Sequence, residues 1–114
     1  MKNFVLLLRA NTNMDPGAFV DPKEVEMRAQ WLKDVQEKGV VTYLGGTMPP
    51  APGMAATLFA DSSVKEGPFM EVSHFLTGFL IIKSEDLEAA KAIAASNPIL
   101  KAGGSVEIRE IILR

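Results

Sequence analysis

The sequence predicts one α+β domain, a four-stranded sheet with two helices on one side, and three observations predict it. Two short runs, Phe4–Leu8 and Phe75–Ile82, are apolar on both faces, as strands in the middle of a sheet are. Two segments, starting at Asp21 and Ser84, open on capping residues and continue with apolar positions three and four apart, the helical spacing. The tail from Ser105 alternates between apolar and polar residues, as a half-exposed strand does.

The elements follow in order. Phe4-Val5-Leu6-Leu7-Leu8 is too short for a helix and ends at Arg9. Ala10 to Val20 carries Asn11, Asn13, Asp15, Pro16 and Gly17, turn formers that predict a loop. Asp21-Pro22-Lys23-Glu24 is a helix start: Asp21 caps, Pro22 fits the first position because its missing N–H has no partner there, and Glu24 bonds back. The helix runs to about Lys38, with Met27, Trp31, Leu32 and Val35 as its apolar stripe, and Gly39 stops it in a left-handed conformation. Val40-Val41-Thr42-Tyr43-Leu44 is β-branched and aromatic, a strand that Gly45-Gly46 should break.

Met48-Pro49-Pro50-Ala51-Pro52-Gly53 holds three prolines, which exclude a helix or a central strand. Ala55–Ala60 reads as a short strand and Asp61-Ser62-Ser63 as a turn, so the middle of the chain is expected to be an irregular hairpin at a sheet edge. Glu66-Gly67-Pro68-Phe69 is a further turn. In the long strand that follows, Phe75, Phe79 and Ile81 should share one face, and Leu76, Leu80 and Ile82 the other. Ser84 is expected to cap a helix with Glu85, Asp86 and Glu88 in its first turn and Leu87, Ala90, Ile93 and Ala94 as its stripe, ended by Asn97-Pro98. In the tail, Val106, Ile108 and Ile112 lie opposite Glu107 and Arg109.

The order β, α, β, hairpin, β, α, β is the split pattern of ferredoxin-like folds, in which the first and third main strands are central. Two helices cover one sheet face, yet Val5 and Leu7 on the first strand, like the third strand, give the sheet a second apolar face. An exposed face of that kind would be several hundred Å² of apolar patch, more than soluble monomers ordinarily tolerate. The expectation is a homodimer whose sheets pack face to face.

At 114 residues the chain is read as a single domain, residues 1–114, with room for one two-layer core. A formal charge of −2 gives no basic excess for phosphate backbones, so nucleic acid is not an expected partner. The absence of cysteine removes disulfides, thiolate nucleophiles and Cys-ligated zinc. A single histidine excludes the common multi-His metal sites and leaves only an all-carboxylate site open, and no metal-binding residue is assigned. Neither GxxxxGK[ST] nor GxGxxG occurs, and no cofactor is expected. Five apolar residues after Met1-Lys2-Asn3 fall short of a secretory leader, and no run approaches the roughly 18 of a membrane span. A cytoplasmic protein with no membrane partner is the expectation.

The ordered series Glu66-Gly67-Pro68-Phe69, Leu76-Thr77-Gly78-Phe79-Leu80-Ile81-Ile82, Glu85-Asp86-Leu87-Glu88-Ala89-Ala90, Asn97-Pro98-Ile99-Leu100 and Gly103-Gly104-Ser105-Val106-Glu107-Ile108-Arg109 resembles the DGPF branch of the YCII-related proteins. The opening Met1-Lys2-Asn3-Phe4 with Leu6-Leu7-Leu8-Arg9, and the Trp31 helix, are similar as well. Glu66 stands where the motif has Asp, and Ser73-His74 where many members carry Lys-Glu. The resemblance implies a ferredoxin-like fold assembled as a dimeric α+β barrel. Some related barrels act on muconolactone- or muconate-type acids, and a His–Asp pair has been proposed as the site in the YCII branch; the resemblance assigns that pair to no particular residues here.

His74 is the one side chain with an unperturbed pKa near neutrality, hence the candidate general acid or base; the competing reading is a loop or edge histidine. Arg9, at the carboxyl end of the first strand, is the candidate clamp for a substrate carboxylate; the competing reading is an ion pair with Glu71 or Glu110. Glu71 and Ser73 complete the candidate substrate-binding set. Ser73 and His74 do not make a hydrolase pair, because adjacent side chains on a strand diverge. The expected ligand is a small organic acid, taken by an enzyme-like dimer or by a non-catalytic binding or regulatory module. A purely structural dimer is the remaining reading.

Overall fold

The computed structural model describes residues 1–11, 22–70 and 73–112. The chain runs through β1 (Lys2–Asn11), α1 (Pro22–Glu37), β2 (Val41–Thr47), β3 (Ala56–Leu58), β4 (Val64–Glu66), β5 (His74–Ser84), α2 (Leu87–Ala94), a 3-10 turn (Pro98–Leu100) and β6 (Ser105–Ile111). The four long strands form one antiparallel sheet in the order β2-β5-β1-β6, and β3 and β4 form a separate two-stranded hairpin. The strands that lack a polar face, β1 and β5, are thus the central pair. An α+β fold with two helices follows from the pattern as expected.

The core lies between that sheet and the helices. Phe4 and Leu6 of β1 and Leu80 and Ile82 of β5 meet Trp31 and Val35 of α1 and Ala90 and Ala94 of α2. Each fully buried large side chain contributes about 1.5–3 kcal/mol over leaving it in water. Alanine at the two α2 positions lets that helix lie close to the strands. The Trp31 indole N–H donates to Ser96 Oγ at 2.9 Å, tying α1 to the end of α2.

Several local expectations are corrected. Ala10 and Asn11 belong to β1, opposite Phe75 and His74, because Ala10 is fully buried and strand pairing outweighs the turn preference of asparagine. Residues 12–20 and the Asp21 cap lie outside the described residues. Met27 is 40% exposed: the inward line of α1 is Glu24, Arg28, Trp31 and Val35, spaced at three and four, and Met27 stands on its flank. Gly39 does end the helix region at φ +72°.

Strand β2 continues through Gly45-Gly46. Gly45 has φ +71°, and a Cβ there would lie 1.8 Å from the Phe79 carbonyl oxygen. The residues that looked like a strand break therefore form a bulge in a paired strand. The helix cap is Asp86, whose carboxylate accepts from Ala89 N at 2.8 Å. Ser84 is instead the last residue of β5, opposite Lys2 and buried. Leu87, at the first position of α2, is 45% exposed, since the helix starts beyond the sheet's cover. Asn97 caps the 3-10 turn by accepting from Ile99 N at 2.9 Å, after α2 has already ended at Ala94. Ile112 lies past β6 and is exposed.

The register also revises the two faces of β5. Gly78 is opposite Leu8 and Leu76 opposite Arg9, so Thr77 is an extra residue and the alternation shifts across it. Phe75 joins Ala10 on the helix-covered face, while Leu76 joins Phe79 and Ile81 on the other. That second face carries Val5, Leu7, Leu76, Phe79 and Ile81, all half-buried, with the Tyr43 ring 6.0 Å from that of Phe79.

Candidate functional site

The two bulges shape a cavity on the helix-covered side. Between Tyr43↔Ile81 and Gly46↔Phe79 the edge strand carries one more residue than β5, and on β5 Thr77 is the unmatched residue against β1. Met48 N donates to Thr77 O at 2.6 Å, so the proline-containing segment leaves the sheet at the bulge. The space enclosed is about 480 Å³, walled by Leu8, by Glu24, Arg28, Trp31 and Leu32 of α1, by residues 44–50, by 77–80, and by Asn97, Pro98, Ile99 and Ala102. That volume and a mainly apolar wall with a few polar groups are typical of small-molecule sites.

The polar residues of this wall are few, Glu24, Arg28, Thr47, Thr77 and Asn97, and two of them are well enclosed. Thr77 is 8% exposed and Asn97 7%. Glu24 and Arg28, four residues apart, occupy inward positions of α1. None of these was singled out as a site residue from the sequence. The available signals were a threonine inside an otherwise apolar run, Phe75–Ile82, and a glutamate and an arginine on the line that Trp31 and Val35 extend. Two charged residues in a helix stripe mean that the stripe faces something other than packed core.

Arg9, Ser73 and His74 are not among the described residues that wall the cavity. Arg9 alternates with Leu8 and so lies on the helix-free face. It pairs with Glu107 at 2.5 Å, and Arg109 approaches the other carboxylate oxygen at 3.1 Å. The partner is Glu107 because it stands opposite Leu7, next along the same face; Glu110, at the other end of β6, reaches Lys2 at 3.7 Å. Glu71 lies outside the described residues. Ser73 Oγ is 3.4 Å from His74 Nδ1, at the long limit of a hydrogen bond. These side chains approach instead of diverging because Ser73 belongs to the turn before β5.

Both arginines hold the Glu107 carboxyl below its ordinary value of 4.5, the Arg9 hydrogen bond contributing most and that of Arg109 next. A carboxyl whose pKa falls on folding stabilises the fold above its unfolded value, and that stabilisation is lost as pH falls through the folded value. Glu107→Gln is therefore expected to lower unfolding free energy at neutral pH by at most about 1 kcal/mol, the side chain being partly solvated. The difference from wild type should shrink below about pH 4.5, which urea titrations at pH 7 and pH 3.5 will read.

Among the described residues no group of three or more His, Asp or Glu side chains is disposed to hold a metal ion, and no helix is long and apolar enough to cross a membrane. The family model for the YCII-related domain matches residues 4–113. The chain belongs to the YCII-related family. A search of curated proteins finds no match to it. The YCII-related match spans every wall of the cavity, from Leu8 to Ala102, together with Arg9 and His74.

Proposed function

We propose that this YCII-related protein is a homodimer that binds a small organic acid in the cavity between α1, the end of β2 and the β5 bulge. In this reading the protomer is ferredoxin-like, the assembly a dimeric α+β barrel, and the branch the DGPF one. The cavity of about 480 Å³ carries the reading: it is large enough for a ring-sized molecule, largely apolar, and counts among its wall residues Arg28, a side chain of the type that pairs with carboxylates. The homodimer is supported by the helix-free face with its half-buried Val5, Leu7, Leu76, Phe79 and Ile81, since a patch of that kind marks an interaction surface.

The test combines light scattering with thermal unfolding in the presence of small organic acids. A molar mass near twice 12.3 kDa across a dilution series is expected. An acid at ten times its Kd should raise the midpoint by on the order of 5 °C or more. Ala102→Trp, which fills the cavity, should abolish that shift while leaving the mass unchanged. No stabilisation of the wild type by any acid, or an equal shift in Ala102→Trp, would overturn the cavity reading. Stabilisation without turnover would assign the protein to the non-catalytic class.

A second reading puts the chemistry on the helix-free face, with Arg9 as anion clamp and His74 as acid or base, and keeps Glu71 and Ser73 as the further substrate-binding candidates. It is favoured by the register, in which Arg9 pairs with Leu76 and Asn11 with His74, bringing both candidates to one end of that face. A site there would need the second protomer as its roof. The same assay separates the two: here His74→Ala removes binding or turnover, and Ala102→Trp does not.

A further inference from the structure

We propose that the cavity reads a hydrogen-bond-accepting oxygen, a carbonyl or a carboxylate, through Thr77 Oγ1 and Asn97 Nδ2, on a ligand that is otherwise flat and apolar. The inference rests on the cavity reading above and names what that cavity recognises. Asn97 Oδ1 already accepts from Ile99 N at 2.9 Å, which fixes the orientation of the carboxamide and leaves its NH2 as the free end. The residue is 93% buried by the same measure that makes it 7% exposed. No described residue hydrogen-bonds to that NH2 or to the Thr77 hydroxyl. No sealed polar side-chain atom among the described residues is left without a partner, so both groups keep some exposure, and both residues wall the cavity.

Two enclosed polar groups without protein partners are costly unless something satisfies them. A carboxamide NH2 only donates, and a threonine hydroxyl donates as readily as it accepts, so the complementary group on a ligand is an acceptor oxygen. The rest of the pocket sets the shape. Gly45, Gly46 and Gly78 put bare backbone on one wall, and a Cβ on Gly78 would come within 3.2 Å of Gly46 O and 3.6 Å of Leu8 Cδ1. Trp31 and Leu32 of α1 line the same cavity. A cavity whose wall combines bare backbone with an indole suits a planar ring.

The probes are benzoate, benzamide and toluene, one ring with a charged acceptor, a neutral acceptor and none, titrated into the intact protein by NMR. At least one acceptor-bearing probe is expected to bind roughly tenfold or more tightly than toluene, the discrimination that a buried polar group imposes. Benzoate alone would assign a carboxylate, and benzamide alone a neutral carbonyl. Thr77→Val removes the hydroxyl at constant shape, and Asn97→Asp keeps the oxygen that caps Ile99 while removing the donor. Each should weaken the acceptor probes about tenfold and leave toluene unchanged, and Thr77→Ser should restore binding. Toluene binding as tightly as the other two, or both variants binding like wild type, would overturn this inference and leave the cavity reading standing. No binding by any of the three would overturn this inference, and, joined to no stabilisation by any organic acid, would sink the cavity reading as well.

Discussion

Gly45→Ala is expected to destabilise the protein by about 3 kcal/mol or more, whereas Gly46→Ala next to it should change stability by less than about 1 kcal/mol. At Gly45 the backbone has φ +71°, where a side chain on an L-residue costs roughly 1–2 kcal/mol by itself. The larger effect is steric. The new Cβ would sit 1.8 Å from Phe79 O and 2.7 Å from Phe79 C, both backbone atoms of the central strand, which has no slack to give. The edge strand would have to leave β5 between the Tyr43↔Ile81 and Gly46↔Phe79 pairs, opening the wall of the cavity as well. At Gly46 a Cβ meets nothing within 4 Å. Urea unfolding of the two variants side by side is the measurement, and equal midpoints would show that the bulge does not depend on Gly45.

That contrast shows what a sequence withholds. Gly45-Gly46 reads as a break because glycine is a poor strand former, and nothing local says that one of the pair lies against Phe79 while the other faces open space. The same holds for Ser84 and Asp86. Both are good caps, and the choice falls to Asp86 because β5 is held in the sheet as far as Ser84 by its pairing with Lys2, a partner over 80 residues away in sequence. What was legible is what local pattern determines: the doubly apolar strands Phe4–Leu8 and Phe75–Ile82 as the centre of the sheet, the Pro22 helix with its Gly39 stop, and the hairpin between β2 and β5.

The cavity was less legible than the fold for a physical reason. Its polar groups come from four separate segments, around Arg28, Thr47, Thr77 and Asn97, and an ordinary local role masks the part that each plays in the cavity. Asn97 reads as a helix stop and does cap a turn; only its second amide atom is spare. Thr77 reads as one of several strand residues of β-branched type. The bulge that aligns it with the cavity exists because β1 and β5 differ by one residue in their pairing, and a count of that kind appears only when both strands are set side by side. By contrast His74 and Arg9 stand out in any reading by chemical type, and the fold gives Arg9 a carboxylate partner, Glu107.

Trp31→Ala is expected to cost about 3–5 kcal/mol, the range for truncating a large buried aromatic side chain. Trp31 is 7% exposed and joins three things at once: the core face of β1 and β5, the end of α2 through Ser96, and the wall of the cavity. Removing it forfeits the packing and merges the vacated volume with the cavity, which the flanking bare-backbone wall cannot collapse to fill. Trp31→Phe separates the contributions. It keeps most of the apolar contact but loses the indole N–H bond to Ser96 Oγ, and because Ser96 is exposed and also donates to Ile93 O at 3.3 Å, its hydroxyl is left satisfied. The expected cost of Trp31→Phe is about 1–2 kcal/mol. Trp31 is the only tryptophan, so both variants must be followed by circular dichroism. A loss in Trp31→Ala no larger than in Trp31→Phe would mean that the indole serves as a strut between α1 and α2 and that packing against the sheet is carried by Val35 and its neighbours.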